Sequence, residues 1–234
     1  MRLAKILIAS TVLAILPAAA FAGANNGGIQ HQDPTPQAGS VILNGQLTFG
    51  AQWSTVNTKV NGVAGDAVVQ GGAGGNSVEI VTFDDTHVTN NQDDESTNIG
   101  SDVNAQLANV GGSVSISGQA FCNSTDVSTD PNITAVNSTQ TCHASDPGSS
   151  VNATVNNVGG DVSIASSASG NVFTEDTNAL SSPTAIAQAN TSNVFSTVNA
   201  TVHNVGGSFG VTSTAVGNSA QIVHYSTAPS TGGN

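Results

Sequence analysis

VNATVNNVGGDVSIASSASGN, residues 151–171, returns 47 residues further along as VNATVHNVGGSFGVTSTAVGN, residues 198–218. The same frame occurs twice more in looser form. Ser54-Thr55-Val56-Asn57 matches Ser196-Thr197-Val198-Asn199, and Val103-Asn104 and Val151-Asn152 lie between them, so the Val-Asn pairs are 47, 48 and 47 residues apart. Each copy continues with an aliphatic residue (Val60, Leu107, Val155, Val202) and then a valine (Val63, Val110, Val158, Val205). A glycine follows in every copy, at Gly65, Gly112, Gly160 and Gly207, and later an asparagine, at Asn76, Asn123, Asn171 and Asn218. Self-similarity at a fixed period marks a repeat architecture, in which each unit buries its apolar face against the next.

Val151, Val155 and Val158 mimic one face of a helix. Asparagine and β-branched filling, followed at once by Gly159-Gly160, rule a stable helix out. Alternation fits instead: Val151, Ala153 and Val155 point one way on a first strand, Val162 and Ile164 on a second. The Val-Gly-Gly turn joins them, with glycine supplying a positive φ, and the Gly-Asn pair reads as the next corner. The expected fold is all-β, a β-solenoid of four units. A unit of 47 residues is long for one coil, so two coils of about 23 residues are expected per unit. The less similar stretches 82–102, 129–150 and 177–197 then form a decorated side. A propeller or a β-sandwich shares such a period, and a disordered Ser/Asn-rich matrix segment is the bland alternative.

Stacked units place equivalent side chains above one another, and stacked amides hydrogen-bond along the axis. Asn57, Asn104, Asn152 and Asn199 are the expected ladder. Asn76, Asn123, Asn171 and Asn218 are read as corner residues that tolerate left-handed geometry.

Residues 1–22 read as a secretion signal. Arg2 and Lys5 precede an apolar run from Ile6 to Ala20, and Ala20-Phe21-Ala22 makes a cleavage site. A polar segment (23–40), the β-repeat domain (41–225) and a Ser/Thr/Gly-rich tail (226–234) follow. No later stretch reaches the roughly 18 apolar residues of a membrane helix. The expected location is extracellular, at the cell surface.

Beyond the signal, Lys59 is the sole Lys or Arg against 15 Asp and Glu. One cation cannot build a phosphate-binding footprint, which excludes nucleic acid, and an anionic membrane surface repels such a chain. Cys122 and Cys142 are the only cysteines, and an even count in an exported chain reads as a disulfide. A metal site at Cys142 and His143 is the alternative, without two further ligands in evidence.

Two catalytic signatures are missing: there is no H-E-x-x-H and no phosphate-cradling G-x-x-x-x-G-K loop. His31, His87, His143, His203 and His224 show no ligand spacing, and His203 replaces a residue that is Asn61, Ala108 or Asn156 in the other units. No catalytic residue and no cofactor is assigned. Asp84, Asp85, Asp93, Asp94 and Glu95 are candidate calcium ligands through clustered hard oxygens, set against a solvated acidic loop.

GGDVSIASSASGN (159–171) and TSTAVGNSA (212–220) resemble bacterial surface-matrix proteins, nearest the holdfast-attachment proteins of stalked bacteria and more distantly the curlins. The resemblance spans roughly residues 56–222. It implies export, β-rich stacked folds and roles in surface anchoring or biofilm fibres. The curlin spacing Ser…Gln-x-Gly…Asn…Gln is absent. Independently, a stack has open ends with unpaired backbone groups, a template for another copy. The expected function is a structural or adhesive surface subunit that assembles with itself or with related matrix subunits. Extracellular polysaccharide and outer surface proteins are further candidate partners. A carbohydrate-binding or polysaccharide-cleaving β-helix and a passive coat protein are the rival readings.

Overall fold

The computed structural model describes residues 40–130, 133–143 and 146–225. The expected signal (1–22), the polar segment up to residue 39 and the tail (226–234) lie outside the described residues. Ten strands follow one another: β1 (Ser40–Val63), β2 (Ala67–Thr82), β3 (Thr86–Val110), β4 (Val114–Thr129), β5 (Thr134–Cys142), β6 (Gly148–Val158), β7 (Val162–Thr177), β8 (Thr184–Asn190), β9 (Phe195–Val205) and β10 (Phe209–His224). No helix occurs among the described residues. The strands form two sheets, one ordered β8-β5-β3-β6-β9 with β1 also on β3, the other β10-β7-β4-β2.

Every pairing between these strands is parallel. In the first sheet Val56, Val103, Val151 and Val198 are successive register partners. In the second, Val69, Ile116, Ile164 and Val211 line up the same way. Each step is one repeat unit. Parallel neighbours cannot be joined by a tight hairpin, so the chain crosses to the opposite sheet and back before pairing, which is incompatible with propeller blades or a sandwich of hairpins.

The expected two coils per unit do not form; one unit makes one layer. The strands are far longer than the usual 5–6 residues: β1 runs 24 residues and β2 runs 16, so one strand in each sheet consumes the unit. The less similar stretches make no coil of their own. Much of each lies in the first half of the long strand, where Val88 pairs with Val136 and Gln92 with Gln140.

Between the sheets the interior alternates in character. One apolar cluster holds Val103, Leu107, Val155, Ile116 and Ile164. Another, at the far end of the strands, holds Ile80, Val88, Val127, Val136 and Phe173. A small group containing Ile99 and both cysteines lies apart from these, and with it a belt of buried polar side chains that includes Asn123, Asn171, Gln92 and Gln140.

The corner differs from expectation in its cause. Positive φ falls on Asn109, Asn157 and Asn204, at 55°, 56° and 53°, and on Gly62 at 78° in the first unit. There two outward residues separate two inward ones, as Val155 and Val158 flank Asn156 and Asn157. Gly65, Gly112, Gly160 and Gly207 do not carry positive φ. Stacking requires the last three: a Cβ on Gly160 would lie 2.6 Å from Ser113 Oγ and 2.9 Å from the backbone carbon of Gly112, whereas one on Gly65, in the first layer, would meet nothing within 4 Å. A Cβ on the preceding Gly159 would lie 2.4 Å from the Gly111 carbonyl oxygen, whereas the first unit has Ala64 at that position.

Candidate functional site

The surface that repeats along the stack is built from side-chain ladders. Asn104 Nδ2 donates to Asn57 Oδ1 at 2.9 Å, Asn152 to Asn104 at 3.0 Å, and Asn199 to Asn152 at 2.9 Å. A second outer row runs from Asn204 to Asn157, Asn109 and Asn61 at 2.9, 3.0 and 2.8 Å. The first row follows from parallel register, which brings each amide over its equivalent at about 4.8 Å. In the second, Asn109 reaches Asn61, the neighbour of its register position Gly62.

Asn76, Asn123, Asn171 and Asn218 are not corners. They lie within β2, β4, β7 and β10, where the in–out alternation slips and turns an inward Ala120 and an inward Asn123 to the same interior. Asn76 Nδ2 donates to Asn123 Oδ1 at 2.8 Å, Asn123 to Asn171 at 2.7 Å, and Asn171 to Asn218 at 2.8 Å. Their second amide hydrogens reach the opposite sheet, at the carbonyls of Asp93, Thr141 and Ala189. A buried amide must be satisfied, and this arrangement does so more completely than a corner.

A further interior ladder went unread in the sequence. Gln92 donates to Gln46, Gln140 to Gln92, and Gln188 to Gln140, at 2.9, 2.9 and 2.8 Å. These glutamines also bridge the sheets, donating to the carbonyls of Ser77, Ser124, Val172 and Ser219. Glu175 is buried as well, and accepts hydrogen bonds from the hydroxyls of Ser182 and Thr184.

Cys122 and Cys142 form a disulfide, with Cα atoms 5.8 Å apart, joining β4 to β5 and hence one sheet to the other. The acidic run does not converge. Alternation along β3 turns Asp94 inward, fully buried, and leaves Asp93 and Glu95 on the outer face. Asp84 and Asp85 lie in the connection before β3, where Asp85 Oδ1 accepts from the Ile133 amide at 3.0 Å. Among the described residues no group of three or more His, Cys, Asp or Glu side chains is placed to hold a metal ion. His143 Nε2 lies 3.9 Å from Asp93 Oδ1, and His203 is exposed beside Asn156.

On the outer face of the second sheet, Glu79 and Asp126 are direct register partners, with Asp176 also near Asp126. Partial burial, and then repulsion from Glu79 and Asp176, pushes the Asp126 carboxyl above the usual aspartate range.

A family model for holdfast attachment protein D matches residues 46–229, nearly the whole stack. The chain belongs to that family. Neither a curated protein nor a solved structure matches it. Membership in the holdfast attachment family supports a cell-surface adhesion role. No helix among the described residues is long and apolar enough to cross a membrane.

The two ends of the stack are where such a role meets geometry. Among the described residues, β1 and β2 pair on one side only, as do β9 and β10. The two outer asparagine rows end there with complementary valences. Asn57 and Asn61 have given their carbonyl oxygens, Asn199 and Asn204 their amide hydrogens, so unpartnered donors face one end and unpartnered acceptors the other.

Proposed function

We propose that the protein is exported through residues 1–22 and works at the cell surface as an anchoring subunit, a four-coil β-solenoid that joins end to end with itself or with related matrix subunits. The observation that carries this reading is the pair of unpaired edges with matching ladder ends, in a chain of the holdfast attachment family. An exposed strand edge is a template for another strand. A second copy whose β1 and β2 lie on β9 and β10 meets backbone groups in parallel register and can donate from its Asn57 to Asn199. The last layer is also apolar enough to favour a cover, with Phe209, Val211 and Ile222 exposed by 51, 45 and 50%.

The test is assembly of the purified mature chain, followed by gel mobility and circular dichroism. The expected result is β-rich polymers that survive SDS, and loss of cell attachment when the protein is deleted. A monomeric, SDS-sensitive chain whose deletion leaves attachment unchanged contradicts the reading.

A further inference from the structure

One row on the outer face of the first sheet does not follow the ladders. Trp53, Gly100, Gly148 and Phe195 are successive register partners across the four layers. The two rings lean toward each other over the glycines. A Cβ on Gly100 would lie 2.2 Å from the Trp53 ring, and one on Gly148 would lie 2.2 Å from the Phe195 ring. The glycines are thus the floor on which the aromatics lie. Both rings keep much of their surface in solvent, 55% for Trp53 and 54% for Phe195. Trp53 Nε1 donates to Thr55 Oγ1 at 3.0 Å, which fixes the indole.

The outward row next to the aromatic strip on the ladder side is polar: Thr55, Asp102, Ser150 and Thr197 come next, about 7 Å along the strands. Beyond them an open groove runs over the asparagine ladder and over Lys59, Gln106, Thr154 and Thr201. Asn104, in the middle of the row, spends one N–H and one lone pair on its neighbours and retains one of each, while Asn57 keeps both N–H groups and Asn199 its carbonyl oxygen. The face therefore offers a flat aromatic strip flanked by donors and acceptors, repeated at the strand spacing of about 4.8 Å.

That pattern suits one class of ligand. A pyranose ring has an apolar C–H face and a rim of hydroxyls, and in an extended glycan successive sugars recur at nearly the strand spacing. Aromatic faces take the C–H surface, and the amide and hydroxyl rows take the rim. Within the rows from Trp53 to Lys59 the charged side chains are Lys59 and Asp102, which cancel, while Asp93 and Glu95 lie further along β3. The strip and groove thus favour a neutral chain over a polyanion or polycation.

We infer that this face binds a neutral, extended polysaccharide lying along the stack, with sugar rings seated on Trp53 and Phe195. The inference rests on the surface-anchoring reading for where the glycan is met, and on the geometry of the face for its chemistry.

Trp53 is the only tryptophan, so intrinsic fluorescence reads this site directly. The purified full chain is titrated with cellohexaose and chitohexaose, with alginate and chitosan oligomers as charged controls. A saturable change with a neutral hexaose is expected. Phe195→Ala should weaken it by about tenfold with the far-UV spectrum unchanged. Trp53→Ala, followed by affinity electrophoresis in a neutral polysaccharide gel, should lose its retardation. Absence of both signals overturns the inference, as does equal binding of the charged oligomers. So does a fluorescence change that tracks protein concentration rather than glycan, because it assigns the face to a second copy. Cells lacking the protein separate the two readings. Glycan binding with attachment unaffected by deletion upholds the platform and contradicts anchoring. No glycan binding with attachment lost does the reverse.

Discussion

The middle layers and the outer layers place equivalent positions in the same register, yet those positions live in different environments. Ile164 in the third layer is fully buried, while Val211, its partner in the fourth, is 45% exposed. A Cβ on Gly160 meets backbone from the layer beneath, while one on Gly65 meets nothing within 4 Å. The repeat therefore does not carry its stability within itself. A unit becomes a core element only when it has a neighbour on both sides, as expected for a quasi-one-dimensional stack, and the end units remain incomplete.

Substitutions at matched positions break or sharpen that contrast. The largest difference is expected for Ile164→Ala against Val211→Ala. The buried site should cost about 2–5 kcal/mol, and the half-exposed one less than about 1 kcal/mol, read from urea unfolding midpoints. Equal losses would mean that the last layer is covered in solution. Gly160→Ala against Gly65→Ala comes next. The first forces a side chain into stacked backbone, at about 1–3 kcal/mol, while the second should stay within about 0.5 kcal/mol in a thermal melt.

The ladders give a third contrast, between interior and surface. Asn123→Ala leaves neighbouring amides and the Thr141 carbonyl unsatisfied between the sheets, for about 1–3 kcal/mol. Asn104→Ala removes the same kind of bond where water can replace it, and should cost under about 1 kcal/mol by chemical unfolding. The smallest effect is electrostatic. Asp126 belongs to a middle layer and faces carboxylates from both neighbouring layers. Its pKa is raised in the fold, so between the unfolded and folded values the native state binds more protons. Stability is greatest below that window and falls as pH rises through the folded value. Asp126→Asn should melt higher than the parent at pH 7 and lose its advantage near about pH 4. An advantage that persists in acid would contradict a charge-based origin.

Much of this was legible in the sequence. Val103, Val151, Ile116 and Ile164 alternate as half-buried strands do, and the corner glycines recur at a fixed place in every unit. The number of layers was not legible, because 82–102, 129–150 and 177–197 share too little sequence to align, and only pairing shows that they lie beside one another. For the same reason Gln46, Gln92, Gln140 and Gln188 escaped notice. Asn76 and its partners were misread because Gly-Asn is a turn signal locally, while satisfaction of a buried amide decides the outcome in the fold. The aromatic row was hidden in another way: its two middle members are glycine, so no residue type repeats.

The central claim is that one 47-residue unit makes one layer. Nitroxide labels on cysteines introduced at Thr154 and Thr201, which are register partners on the exposed outer face, test it most directly. The native cysteines are paired and buried and do not compete for the label. The labels should sit about 4.8 Å apart at their attachment points and give strongly broadened spectra, even when diluted into unlabelled protein. Narrow, non-interacting spectra, or a separation near twice that spacing as two coils per unit would impose, contradict the account.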